Sequence, residues 1–192
     1  MATFWREAVA ATSDADLGLH KTVVSNPGAL DIVGYVMLSS LTAADALRRG
    51  ARLMRLLNDG LAIELSRERD TTGCRVRLLQ TRDNFMVVEP RQVIDSVLMG
   101  IVHQLRLLTA RAIVPREITV RYATPPTGTR EHERLFGVRP HFGADIDSVT
   151  LVNADLDIAL RSANAQLLSS FEAHADAAEL LDYPGCAGDR RQ

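Results

Sequence analysis

The spacing of hydrophobic positions changes along this chain, and each change marks an element. Phe4, Trp5, Ala8, Val9 and Ala11 recur at helical spacing and predict a short opening helix, with the stretch TSDADLG ending it at Gly18. Asn26–Ser40 (NPGALDIVGYVMLSS) opens on Asn26-Pro27, a helix start, and is then apolar all round, the pattern of a buried helix. Thr42 and Asp45 follow at capping-box spacing. Behind them Ala46, Leu47, Gly50, Leu53, Met54 and Leu57 share one helical face, Arg48, Arg52 and Arg55 share the other, and Asn58-Asp59-Gly60 closes the helix.

The period then drops to two. LAIELSRE and CRVRLLQT alternate around RDTTG and predict a β-hairpin, and FMVVE adds a short extended piece. Pro90 opens the longest helix, roughly Pro90 to Ala112, with an aliphatic stripe of Ile94, Val97, Leu98, Ile101, Leu105 and Leu108. REITVRYATP is a strand ended by Pro125-Pro126, TREHERLFG a short helix stopped at Gly137, and SVTLVN another strand. ANAQLLSSFEAHADAAELL is a closing helix with Leu167, Phe171, Ala178 and Leu181 on one side. The tail DYPGCAGDRRQ reads as a linker. This order predicts a single α+β domain: an antiparallel sheet with helices packed mainly on one face.

Composition narrows the function classes. The 192 residues are 46% apolar and 24% charged, ordinary globular usage and enough for one core. All but one of the 22 basic residues are arginine, Lys21 being the exception, and the net charge is −2, so no basic stripe for nucleic acid stands out. RRGARLMR is the densest basic cluster, and it lies opposite an apolar face, as a solvated helix surface does. No apolar run is long enough to span a membrane and no signal peptide opens the chain, so a cytoplasmic protein is expected. Cys74 and Cys186 form no CxxC, and Cys74 reads as an inert strand cysteine. His20, His103, His132, His141 and His174 show no HxH, HxxxH or HExxH spacing; GADIDSV and NADLDIA lack a closing glutamate, and the second reads as a helix entry capped by Asn153 or Asp155; no phosphate-binding glycine loop is present. Neither a metal, a cofactor nor catalysis is expected.

The mixed face of the long helix is the candidate site. Asp95, Met99 and His103 stand at i, i+4 and i+8 beside Arg106, roughly opposite the aliphatic stripe, and Gly100 sits in the helix interior at a cost of ~1 kcal/mol against alanine. Either this face is a solvated flank on which Asp95 and Arg106 pair, or the helix is packed on both sides and lines a polar pocket. Tyr35, in an apolar run, needs a partner for its hydroxyl if it is buried.

Three segments in order resemble one family. Gly34-Tyr35, Ser39-Ser40, Thr42 and Ala46-Leu47-Arg48 come first; Pro115, Ile118, Val120, Tyr122 and Pro125 follow; Leu135-Phe136-Gly137, Phe142-Gly143-Ala144, Leu151 and Leu156 complete the set. Together they resemble the N-terminal sensor domain, of the arabinose-binding-type and non-cupin branch, of AraC-type bacterial transcriptional regulators. Ala159-Leu160 stands where that branch usually has Pro-Leu. The resemblance implies ligand sensing and dimerisation by residues 1–182, with 183–192 leading towards a DNA-binding domain of two helix-turn-helix units that this chain lacks. It supplies no evidence for a sugar, since aromatics are only 5% and no series of short glycine-punctuated strands is present. A small polar effector, an amine or amino acid, is expected between the long helix and the helix of Tyr35, held by Tyr35, Asp95, Met99 and His103. A homodimer interface is expected at Leu167 and Phe171. A dimerisation module without ligand and an enzyme with a cryptic site are the alternatives.

Overall fold

The structure is a computed structural model that describes residues 2–79 and 90–182. The chain begins with helices α1 (Ala2–Thr12) and α2 (Leu17–Val23), a 3-10 turn (Pro27–Leu30), α3 (Asp31–Ser39) and α4 (Ala43–Leu57). The hairpin β1 (Leu61–Arg67) and β2 (Thr71–Leu78) follows, then the long α5 (Pro90–Thr109) and β3 (Glu117–Val120). The second half holds α6 (Arg130–Phe136), β4 (His141–Phe142), β5 (Asp147–Val152), α7 (Asn153–Leu156) and α8 (Ala165–Asp182). The strands make one open sheet in the order β1-β2-β5-β3-β4, antiparallel except for the β3–β4 pair. This is the α+β single domain that the alternating and helical periods predict.

The sheet is one-sided because its strands alternate. Thr72, Cys74 and Val76 of β2 and Val149 and Leu151 of β5 are buried, with α5 packed across them and α4 along β1. Arg75 and Arg77 point the other way, where Arg77 donates to Glu64 across the hairpin at 2.5 Å. The hairpin registers Arg67 with Thr72 and Leu61 with Leu78. Thr42 caps α4 by accepting from Asp45 N at 3.1 Å, an interaction worth ~1 kcal/mol. The buried seam of α4 is Ala46, Leu47, Gly50 and Leu53, as the periodicity predicts.

Four details depart from the sequence reading. Gly18 does not stop a helix: it lies inside α2, its N–H donates to Gln92 Oε1 at 2.7 Å, and a Cβ there would meet Gln92 O at 2.3 Å. Its glycine character serves close packing of α2 on α5, while the chain turns earlier, at Ser13 (φ 55). Asn26–Ser40 is not one helix either. It breaks at Asp31 (φ 51), and Gly34 lies so tightly over the preceding turn that a Cβ would fall 1.6 Å from Pro27 O. α5 ends at Thr109, since Ala110 takes a left-handed conformation (φ 53). Finally, Asn153 opens α7 as a buried residue and does not cap it. It accepts from Thr72 Oγ1 at 2.7 Å and donates to the Glu68 carbonyl at 2.9 Å, tying α7 to the hairpin loop. The extended piece FMVVE and the tail from residue 183 lie outside the described residues.

Candidate effector cavity and the buried polar cluster behind it

Helix α5 is packed on both sides, and its two faces differ in chemistry. Val93, Ser96, Val97, Gly100, Ile101, Gln104 and Leu105 repeat at three and four residues and form one wall of a cavity of about 450 Å³. The remaining walls come from Trp5 of α1, Lys21 and Thr22 of α2, Val33 and Met37 of α3, Leu47 and Met54 of α4, and Leu61 and Ile63 of β1. The volume is that of a small-molecule site, and the lining is mostly aliphatic with a few polar groups. Gly100 belongs to this wall. A Cβ on it would make only an ordinary contact, 3.7 Å to Thr22 Cγ2, so no tight neighbour requires the glycine; its missing side chain leaves room in the cavity.

The polar groups of the cavity are not equivalent. Thr22 Oγ1 lies 3.2 Å from the Gly18 carbonyl oxygen and 3.1 Å from that of Ser96, and Ser25 Oγ donates to the Thr22 carbonyl at 2.8 Å. These hydroxyls satisfy the local backbone. Gln104 is 4% exposed, and its Oε1 is buried with no hydrogen-bond partner. An unpaired buried acceptor costs roughly 1–3 kcal/mol, which a ligand donor would recover. Lys21 is exposed, with its Nζ 5.2 Å from the centroid of the Trp5 ring.

The opposite side of α5 holds Asp95, which is fully buried. Its Oδ1 accepts from the Tyr122 hydroxyl and lies 3.3 Å from His132 Nε2, while its Oδ2 is 3.4 Å from Arg91 Nε. Arg91 also pairs with Asp16 of the α1–α2 connection. The hydroxyl of Tyr122 stands 3.1 Å from His132 Nε2. Burial, and then the charge of Asp95, pushes the tyrosine pKa far up, so it remains a donor. The two FG pairs enclose this cluster. Phe136 is buried at the end of α6 beside His132 (6.4 Å between centroids), and Phe142 stacks edge-on against His132 (5.4 Å) and tilts on Tyr122 (5.7 Å). Gly137 (φ 84) supplies the left-handed cap of α6, donating to Glu133 O at 2.9 Å. Arg106 does not pair with Asp95; it donates to the Ile113, Leu135 and Phe136 carbonyls at 2.8, 2.7 and 2.9 Å, meeting the open carbonyls at the C-terminus of α6.

None of the four residues expected to hold a ligand lines the cavity. Tyr35 is 45% exposed and stacks on Phe171 of α8 at 5.4 Å. Asp95 is engaged in the polar cluster, Met99 is fully buried in the core, and His103 Nε2 lies 3.0 Å from the Ser25 carbonyl oxygen, behind the cavity wall. The expected location, between α5 and α3, does hold the cavity, on the aliphatic stripe and not on the mixed face. Gln104 and Lys21 escaped the sequence reading; the only sign of Gln104 is a polar residue at i+3 of Ile101, inside that stripe. Among the described side chains of α8 the buried ones are Leu168 and Ala175, while Leu167 is 48% exposed.

Burial drives the Cys74 thiol up to about 12, and among the described residues no group of three or more His, Cys, Asp or Glu is placed to hold a metal ion. Among the described residues, no helix is long and apolar enough to cross a membrane. A one-sided sheet lies under helices that enclose a mostly aliphatic cavity of small-molecule size. The profile of the arabinose-binding domain of AraC transcription regulators, N-terminal, matches residues 1–160, and the chain belongs to that family. It is therefore an N-terminal effector-binding domain of an AraC-type regulator, which is not an enzyme. The fold is similar to that of the transcriptional regulator CdpR from Pseudomonas aeruginosa, with TM-score 0.65 and 16% identity over 84% of this chain. The chain spans 53% of the length of that protein. No curated protein sequence matches the chain.

Proposed function

We propose that this domain binds its effector in the cavity between α5 and the helices α1 to α4, dimerises through the α3–α8 surface, and governs a DNA-binding domain that follows it in the intact regulator. The unpartnered Gln104 Oε1 in a mostly aliphatic enclosure carries the ligand reading. An effector coupled to DNA binding must favour one state of the domain over another. α3 and α4 are suited to report occupancy. Met37 and Leu47 line the cavity, and α3 also packs on α8.

The dimer reading rests on apolar exposure. Tyr35 and Leu167 lie exposed on adjoining helices, and Phe171 stacks on Tyr35 between them. Exposed apolar residues gathered in one place mark an interaction surface, and a regulator reading paired half-sites gains from a dimeric sensor.

Melting the protein against a library of small metabolites tests the first part. A true effector raises the melting temperature by mass action, and Gly100→Leu, which projects a side chain into the cavity, should abolish that rise while leaving the helix intact. No hit would leave a ligand-free dimerisation module, and hits indifferent to Gly100→Leu would place the effector outside this cavity. Light scattering tests the second part: Leu167→Glu should halve the mass of a wild-type dimer, and an unchanged mass would place the interface elsewhere.

A further inference from the structure

We infer that the effector of this cavity is an amphipathic organic anion: an apolar body carrying one carboxylate-like group at the Lys21 end and a hydrogen-bond donor directed at Gln104. This rests on the proposed role of the cavity and adds the chemistry of its ligand.

Three observations lead there. First, among the described residues the lining contains no aspartate or glutamate, and Lys21 is its only ionisable side chain. A cationic ligand would lose water on entry and meet no opposite charge, which is strongly unfavourable in an apolar enclosure. Asp95, the acid that could have received an amine, is sealed on the far face of α5 by Tyr122, His132 and Arg91.

Second, Lys21 is the only lysine in the chain, and among the described residues it forms no ion pair. Other exposed cations among the described residues, such as Arg75 and Arg116, also stand without an ion pair; what sets Lys21 apart is its place on the cavity lining. Lys21 is solvent-exposed on a side chain that also lines the cavity, so its ammonium can meet an anion without either group being fully desolvated. Trp5 holds that ammonium beside the cavity by a cation–π contact.

Third, Gln104 Oε1 is a buried acceptor left unsatisfied, whereas the hydroxyls of Thr22 and Ser25 are engaged with backbone carbonyls. A hydroxyl or N–H on the ligand body completes it. The mostly aliphatic lining sets the remaining requirement, an uncharged hydrocarbon body.

A chain-matched set of probes separates the head groups. Decanoate, decanol and decylamine share one body and differ only at the end that would reach Lys21. Titration calorimetry on the purified chain should show decanoate binding tightest and decylamine weakest. Lys21→Met should weaken decanoate about ten-fold and leave decanol unchanged. Among the monohydroxy isomers of decanoate, at least one should bind more tightly than decanoate, and Gln104→Leu should erase that advantage. Decylamine binding as tightly as decanoate, or decanoate binding untouched by Lys21→Met, would overturn the anion assignment. The absence of any tighter hydroxy isomer would overturn the role given to Gln104. Gly100→Leu keeps this failure distinct from failure of the site: an effector of another class that is still blocked by Gly100→Leu overturns the ligand class alone, whereas binding that ignores Gly100→Leu overturns the cavity itself.

Discussion

Asp95→Asn discriminates a structural from a ligand-binding role for the acid at the centre of α5. The carboxylate is fully buried, accepts from the Tyr122 hydroxyl, and lies 3.3 Å from His132 Nε2 and 3.4 Å from Arg91 Nε. The amide retains one acceptor oxygen for Tyr122. Its other atom becomes a donor facing Arg91, and the negative charge opposite the guanidinium is gone. Breaking one side of a buried charged pair costs about 3–5 kcal/mol, and the retained tyrosine hydrogen bond places this variant near the low end, about 3 kcal/mol. For a domain of this size each kcal/mol moves the melting temperature by roughly 2–4 °C, so the fall should be about 6–12 °C. Tyr122→Phe removes the hydrogen bond to the Asp95 carboxylate and the contact with His132 Nε2, and should cost about 1.5–3 kcal/mol. Circular dichroism melts and urea titrations at pH 7 measure both. Binding of any effector that Gly100→Leu blocks should survive Asp95→Asn, measured below the variant's melting temperature. A variant that melts within 2 °C (roughly 1 kcal/mol) of wild type yet loses effector affinity would refute this reasoning and return Asp95 to the ligand site.

Two further outcomes follow from charge and burial. His20 bridges α2 to α6 through Asp14 at 2.7 Å and Glu131 at 3.3 Å; burial pulls its pKa down, but these two acids outweigh it and hold it above the usual 6.5. A raised folded pKa means the contribution is complete below pH 6.5 and is lost as pH climbs past the folded value, so wild-type stability should decline across that interval and His20→Gln should flatten the profile in chemical denaturation. Cys74, buried and pushed up to about 12, should not react with Ellman's reagent at pH 8 in a folded Cys186→Ser background and should react fully in urea; rapid reaction of the native protein would place the thiol at the surface.

Local chemistry carried most of the secondary structure into the sequence. The capping pair Thr42 and Asp45, the period-two runs around residues 68–70, Pro90 at the start of α5 and Gly137 at the end of α6 are each short-range devices, and each appears where its pattern stands. The same holds for the one-sided sheet, because alternation along β2 already separates Cys74 and Val76 from Arg75 and Arg77. The family was legible too, since its signature residues are caps, turns and core plugs that remain adjacent in sequence: Ser39, Ser40 and Thr42, or Phe136-Gly137 and Phe142-Gly143.

What only the tertiary structure decided is which face of α5 meets a void and which meets a partner. Periodicity assigns residues to faces, but it says nothing of what the rest of the chain places opposite them. Asp95 reads as a free acid until Tyr122 and His132, 27 and 37 residues further on, close over it. Gly18 reads as a helix stop until Gln92, 74 residues away, is found against it. Conversely, the aliphatic stripe reads as solid core, and a glycine and a glutamine within it acquire meaning only because α1 to α4 and β1 stop short of filling the space before Gly100 and Gln104. A cavity is a property of how elements fail to meet, and short-range pattern holds no record of that distance.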